Sequence, residues 1–322
     1  MSAVVRSAVS LSCVVGLLAM QLDAQQAATN RRDALLVTPA WLSQHLHDAN
    51  LVVLHVGDPK TYAGKHIPGA RFVSLDDISL SDHSGMNGGT PTGNGLTLEM
   101  PPAEKLRSML AALGISDNSR VIVYSADEWV SPSTRLVFTL DYAGLGSKTA
   151  VMDGGLEAWV REKGQTTDAV PPAQAGKLSA LSLRPIVVDA EYVRTHTGKP
   201  GVSIVDARSA VFYDGIPRSG GGRGGPPPRL GHIPGAKSLP FDQVNDDQIK
   251  LKSADQLIAL FTKAGVQPGD TVVGYCHIGQ QATAMLFAAR SLGHPVLLYD
   301  GSFEDWAKHA DFPVELPPKA KP

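Results

Sequence analysis

Cysteine is nearly absent: the 322 residues hold two, Cys13 and Cys276. Cys13 lies in an amino-terminal leader pattern, so the mature chain is left with Cys276 alone. That excludes an internal disulfide and a cluster of thiolate ligands, and no metal or cofactor is assigned. An excess of charge of one sign is also lacking. The formal net charge is -2, and no cluster of Lys and Arg marks a surface that could track phosphates, which argues against a nucleic-acid partner. Long apolar runs are missing too: the best candidate, Leu11 to Met20, is shorter than the roughly 20 residues of a spanning helix. The mature chain is therefore expected to have no stable membrane span.

What the amino terminus does have is Arg6, the apolar stretch Leu11 to Met20 and the small-residue site Leu22-Asp23-Ala24, in the order of a secretory signal. Residues 1–24 are expected to be a cleaved signal peptide and the protein to be exported, to the periplasm or beyond. A lipoprotein reading of Cys13 fails, because Ser10-Leu11-Ser12 is a poor lipobox and most of the apolar stretch follows it. With 43% hydrophobic residues the remainder is ordinarily globular, long enough for one large or two medium α/β domains. An unpaired thiol in an exported protein is open to oxidation, so chemistry is a better reason than packing for keeping Cys276.

Cys276 stands in the run Val272-Val273-Gly274-Tyr275-Cys276-His277-Ile278-Gly279-Gln280-Gln281-Ala282-Thr283, between an apolar strand-like segment and a helix-like one. A strand that turns sharply into a helix points successive backbone N–H groups into the turn, and the helix N-terminus adds partial positive charge. A thiol placed there is expected to be a stabilised thiolate and a nucleophile. The plainer alternative is a buried, inert cysteine at a strand end.

The chain also repeats itself. His66-Ile67-Pro68-Gly69-Ala70 returns as His232-Ile233-Pro234-Gly235-Ala236, and Met152-Asp153-Gly154-Gly155-Leu156-Glu157-Ala158-Trp159 returns as Tyr299-Asp300-Gly301-Ser302-Phe303-Glu304-Asp305-Trp306. Two segments recurring in the same order indicate a duplicated domain, since the repeats of a solenoid are far shorter. Apolar strands are expected at 51–56, 121–124 and 150–152, and again at 202–205, 271–275 and 296–299. Helical patterns at 103–113, 132–143, 190–196, 254–264 and 281–292 alternate with them. This alternation predicts two α/β domains, 35–165 and 185–316, each a parallel sheet covered by helices on both faces. Catalytic groups in such sheets lie at the carboxyl ends of strands. Residues 166–184, with Pro171-Pro172, read as a linker. Loops at 81–95 and 215–231 break the symmetry, and the second carries Arg218, Arg223 and Arg229 without neighbouring acids.

Aligning the copies at Tyr124 and Tyr275 sets Ser125 opposite Cys276. Ala126-Asp127-Glu128-Trp129-Val130 follows Ser125, and carboxylates there would repel an anionic substrate, so the first copy is expected to be inactive. Ser125 lacks the Gly-x-Ser-x-Gly elbow of a serine hydrolase. A cysteine phosphatase would need an arginine six residues after the nucleophile, where this chain has Ala282.

The duplicated unit, the His-Ile-Pro-Gly-Ala turn, Asp206-Ala207-Arg208 after the first strand, the cysteine loop and the closing Asp-Gly-Gly-x-x-x-Trp resemble the rhodanese (sulfurtransferase) family. The tandem form is similar to thiosulfate and 3-mercaptopyruvate sulfurtransferases, with a degenerate first domain and a catalytic second one. The resemblance implies that a sulfane sulfur passes from a thiosulfate donor to cyanide or a thiol acceptor through a persulfide on Cys276. A 3-mercaptopyruvate donor and a non-enzymatic persulfide carrier are the alternatives. Backbone N–H groups of His277, Ile278, Gly279, Gln280, Gln281, Ala282 and Thr283 would hold the sulfur anion.

Two departures from the family pattern bear on the donor. Ile278 stands where the thiosulfate enzymes resemble a lysine and the mercaptopyruvate enzymes a serine, and a second family arginine falls on Phe212. An anionic donor would then need Arg208, Arg218, Arg223 or Arg229. For Arg208 an ion pair with Asp206 is the favoured reading. For His277 a backbone role is favoured over proton transfer, although histidine titrates near neutrality. His66 and His232 occur in both copies and read as turn-fixing residues, and Trp159 and Trp306 as packing.

Overall fold

The computed structural model describes residues 31–82, 95–217 and 229–316. The leader with Cys13, most of the loop at 81–95, and Arg218 and Arg223 lie outside the described residues.

Each copy builds one five-stranded sheet. In the first, β1 (Leu36–Val37), β2 (Leu51–Val56), β3 (Arg71–Val73), β4 (Arg120–Ser125) and β5 (Thr149–Met152) lie in the order β1-β5-β4-β2-β3, every pair parallel. In the second, β6 (Val187–Val188), β7 (Val202–Asp206), β8 (Lys237–Ser238), β9 (Thr271–Tyr275) and β10 (Val296–Tyr299) repeat that order as β6-β10-β9-β7-β8, again all parallel. The central strands β4 and β9 are almost wholly buried, which is why they read as continuous apolar runs instead of alternating ones. All six strands expected from the sequence are present. The four edge strands β1, β3, β6 and β8 were not foreseen, because two or three residues are too few to show a period.

Local chemistry sets the helix starts. Thr38 accepts a hydrogen bond from the Trp41 N–H and Asp189 from the Tyr192 N–H, while Ser253 and Gln256 form a reciprocal capping box. The histidines of the repeated turn do the same work in both copies. His66 Nδ1 lies 2.6 Å from the Tyr62 carbonyl with its ring stacked on Tyr62, and His232 Nδ1 lies 2.8 Å from the Tyr213 carbonyl with its ring stacked on Tyr213. The turn is pinned to the strand that precedes the candidate nucleophile. Ile67 donates its N–H to the Tyr124 hydroxyl at 3.2 Å, and Ile233 donates to the Tyr275 hydroxyl at 3.1 Å. Trp159 and Trp306 are buried, their indole N–H groups donating to the carbonyls of Gln165 and Pro313.

The two copies share one core. The helix Ser131–Tyr142 packs against the helix Ala282–Ser291, and Leu136 and Val137 join Met285 and Leu286 in a single apolar cluster. Separate clusters around Trp159 and Trp306 cover the outer faces. Internal symmetry is visible at the seam: Thr134 Oγ1 meets Thr283 Oγ1 at 2.9 Å. The Asp-Gly motifs are exchanged across it. Asp153 accepts the Leu251 N–H at 2.9 Å, and Asp300 accepts the Met100 N–H at 2.6 Å. Residues 166–184 are strapped to the first copy through buried Leu178, the Gly176 N–H on the Ala111 carbonyl and the Arg184 N–H on the Tyr142 carbonyl.

Candidate active site

Cys276 follows β9 directly and is 0% exposed. Its N–H donates to Ser302 Oγ at 3.2 Å. Its carbonyl accepts the Phe303 N–H at 3.0 Å and the His277 carbonyl accepts the Glu304 N–H at 2.9 Å, both from the start of the helix Ser302–Trp306. The Gly279 carbonyl accepts from Arg135 Nη1 at 3.1 Å. A trans peptide is planar, with C=O and N–H pointing to opposite sides. Anchoring these three carbonyls therefore turns the N–H groups of His277, Ile278 and Gln280 to the side opposite Phe303, Glu304 and Arg135. From His277 to Gln281, no N–H finds an acceptor among the described residues. The turn closes at Gly279, whose φ of +74° suits glycine, and Gln281 precedes the helix that begins at buried Ala282 without a side-chain cap bond.

One residue leaves the expected row of donors. Thr283 gives its N–H to the Gln280 carbonyl at 3.1 Å and its hydroxyl to the same carbonyl at 2.6 Å, because it already belongs to the first helical turn. Its role is to close the loop and meet Thr134. Gln280 reaches across the seam, its side-chain amide donating to Ser131 Oγ at 3.1 Å.

The arginines offered as donor anchors are engaged elsewhere where they are described. Arg208 is buried, donating from Nη2 to Asp206 Oδ2 at 2.6 Å and to the Gly231 carbonyl at 2.8 Å, and its guanidinium lies 4.1 Å from the centre of the Phe303 ring. Burial beside a carboxylate two residues away makes that ion pair the natural partner. Arg229 donates to the carbonyls of His309 and Phe312, near the end of the second domain. Phe212 stands edge-on to His277, ring centres 4.4 Å apart, at the position where the family resemblance led one to look for an arginine.

Burial, together with the charge of Arg208, pushes His277 down to about 4 from 6.5. The ring is therefore neutral at pH 7 and brings no positive charge to the sulfur. Because the folded ring binds its proton less readily than the unfolded one, its contribution to stability is full above about pH 6.5 and is lost as the pH falls toward 4. His277→Gln is expected to change kcat at pH 7 by less than about threefold, and to flatten the acid limb of a urea-unfolding series between those values. An inactive but folded variant would show that the ring itself takes part in the chemistry.

The first copy has closed its counterpart of this loop. Ser125 is buried with its hydroxyl 2.7 Å from Ser133 Oγ. Gly57, which strand register sets opposite Arg208, leaves room for Asp127: a Cβ there would lie 3.2 Å from its carboxylate oxygens and 2.9 Å from Ala126.

Sequence reasoning missed Arg135. This fully buried residue of the first copy contacts Gly279 and Asp300, which are 144 and 165 residues away, so no local pattern could point to it. Asp300 and Ser302 were seen only as a repeated helix start, although the repetition itself signalled that the motif mattered.

The rhodanese-like domain is matched twice along the chain, at residues 38–162 and 189–309. The chain belongs to the rhodanese family of sulfurtransferases. It is 31% identical over 287 residues to a thiosulfate sulfurtransferase of Azotobacter vinelandii, spanning 88% of this chain and 97% of that protein. It is 28% identical over 289 residues to the 3-mercaptopyruvate sulfurtransferase of Escherichia coli K12, spanning 85% and 95%. The solved structure of the 3-mercaptopyruvate sulfotransferase SseA from Escherichia coli superposes with a TM-score of 0.68 at 26% identity, covering 83% of this chain and 98% of that one. The two parallel sheets are thus two rhodanese domains in tandem. Among the described residues no helix is long and apolar enough to cross a membrane.

Proposed function

We propose that this rhodanese transfers a sulfane sulfur from thiosulfate to cyanide or a thiol through a persulfide on Cys276. The observation that carries the reading is the loop after β9. A buried sulfur sits at the head of a turn whose carbonyls of Cys276, His277 and Gly279 are all anchored outward. Backbone N–H groups turned inward would stabilise an anion at no cost of reorganisation. The Cys276 thiolate attacks the outer sulfur of thiosulfate, the S–S bond breaks, and sulfite leaves with the electron pair. Cyanide then attacks the terminal sulfur of the persulfide, thiocyanate leaves, and the thiolate is regenerated. The reading includes export of the mature chain, supported by Arg6, the stretch Leu11 to Met20 and Ala24.

Thiosulfate is placed ahead of 3-mercaptopyruvate on a chemical ground. Sulfite departs as a stable anion, whereas the pyruvate enolate must be protonated. His277, held near 4, is no acid at neutral pH, and Ile278 has no hydroxyl. Similarity to the Escherichia coli enzyme keeps the second donor as the alternative. Incubating the mature protein with each donor and cyanide, and measuring thiocyanate, is expected to give a kcat/KM for thiosulfate at least about 10-fold higher. The reverse order would transfer the assignment to 3-mercaptopyruvate, and no turnover with either would sink the enzymatic reading.

A further inference from the structure

Two of the three outward carbonyls of the cysteine loop are held by the loop's own domain, through the N–H groups of Phe303 and Glu304. The third, that of Gly279, is held from the other domain. Arg135 is fully buried in the half of the molecule that has no nucleophile. Its Nη1 donates to Gly279 O at 3.1 Å and to Asp300 Oδ1 at 2.7 Å, and its Nη2 donates to the Leu98 carbonyl. A Cβ on Gly279 would lie 2.9 Å from Nη1 and 2.7 Å from the Asp300 carbonyl, so the glycine is fitted against this pair.

The arginine is not a repeated feature of the seam. Thr134 faces Thr283 across the internal symmetry, and one residue further Arg135 corresponds to Ala284. On the opposite side Arg32 fills the comparable gap beside Asp153, donating to the carbonyls of Leu251 and Lys252. A guanidinium is thus built into the symmetric helix pair only where it faces the cysteine loop. Its buried Nε has no partner among the described residues, a desolvation cost that simple packing would avoid. Glu99, next to Asp300, is pushed up to about 8 by burial and the Asp300 charge, and Arg135 keeps Asp300 as its ion-pair partner at 2.7 Å.

We propose that Arg135 is a positioning residue for sulfur transfer: by holding the Gly279 carbonyl outward from the first domain, it keeps the Gln280 N–H directed at the sulfur of Cys276. The proposal rests on the persulfide reading of that loop. A glycine peptide is the easiest in the chain to rotate. Released, the Gly279–Gln280 unit could flip and present a carbonyl oxygen to an anionic sulfur, exchanging an attractive dipole for a repulsive one. The inactive domain thereby completes the active one.

The test compares wild type, Arg135→Lys and the double variant Arg135→Met with Asp300→Asn. Lysine keeps the charge opposite Asp300, but one ammonium cannot span the three acceptors that the planar fork reaches. The double variant removes both buried charges and keeps the fold testable if lysine does not. Expected for at least one folded variant is a melting temperature within a few degrees of wild type, a kcat lower by about 10- to 100-fold, and a donor KM changed by less than about threefold. Hydrogen exchange at the Thr283 amide, which is bonded to the Gln280 carbonyl of the held peptide, is expected to quicken while 271–275 stays protected. Activity that simply follows melting temperature, or Thr283 exchange unchanged in a folded variant, would overturn the proposal. If wild type itself moves no sulfur, the persulfide reading falls on its own, and the exchange measurement still decides whether Arg135 holds the loop.

Discussion

Cys276→Ser is expected to lower thiocyanate formation by at least about 1,000-fold while leaving the circular dichroism spectrum and melting temperature close to those of wild type. The size of the loss follows from what the sulfur does. Serine fits the same buried volume and keeps the backbone bond from residue 276 to Ser302, so the fold has no reason to change. A hydroxyl, however, is hardly ionised at neutral pH and cannot accept a sulfane sulfur to form a persulfide, so the inward N–H groups are left with nothing to stabilise. Cys276 is the sole free cysteine of the described residues, and Ser125 in the other copy is already bonded to Ser133, which leaves no substitute nucleophile there. Steady-state kinetics with thiosulfate and cyanide measure the effect. A serine variant retaining more than about a tenth of the activity would show that the chemistry lies elsewhere.

Gly279→Ala is expected to cost about 2–4 kcal/mol of stability and more than about 10-fold in kcat. Two effects add at this position. A residue with a Cβ held at a φ of +74° costs about 1 kcal/mol in backbone strain. The new methyl would then meet the Asp300 carbonyl at 2.7 Å and Arg135 Nη1 at 2.9 Å, neither of them the free end of an exposed chain. Gly198 supplies the control: its φ is +75° but nothing lies within 4 Å of its missing Cβ. Gly198→Ala should therefore show the backbone strain alone, about 1 kcal/mol. Urea unfolding of the two variants separates strain from collision, and kinetics show whether the displaced loop still works. Equal destabilisation of both variants would mean that the loop yields to the methyl group and is not rigidly held.

The parallel sheets were legible in the sequence because strands buried on both faces, such as β4 and β9, are written as unbroken apolar runs. The repeated turn and the repeated Asp-Gly motif revealed the duplication, and the solitary cysteine in a strand-to-helix turn drew attention to the site. What stayed hidden was pairing across long separations. Nothing near Arg135 distinguishes it from any helical arginine, and its partners are brought to it only when the second domain docks. The same limit applies to Arg229, which looked like a loose loop charge and is tied to carbonyls some 80 residues on. Arg208 was readable because its partner Asp206 is two residues away. Thr283 was counted among the anion donors because helix starts are uncertain by a residue or two in sequence, and the capping geometry decides which N–H groups remain available.

The central claim is that Cys276 carries the sulfur between two half-reactions, and intact-mass spectrometry tests it most directly. After thiosulfate treatment and removal of excess donor, the wild-type protein is predicted to gain one sulfur atom, located on the peptide containing Cys276. Cyanide should remove it as thiocyanate, and Cys276→Ser should gain nothing. A sulfur gained equally by Cys276→Ser, or a wild-type mass unchanged by thiosulfate and by 3-mercaptopyruvate alike, would contradict the account.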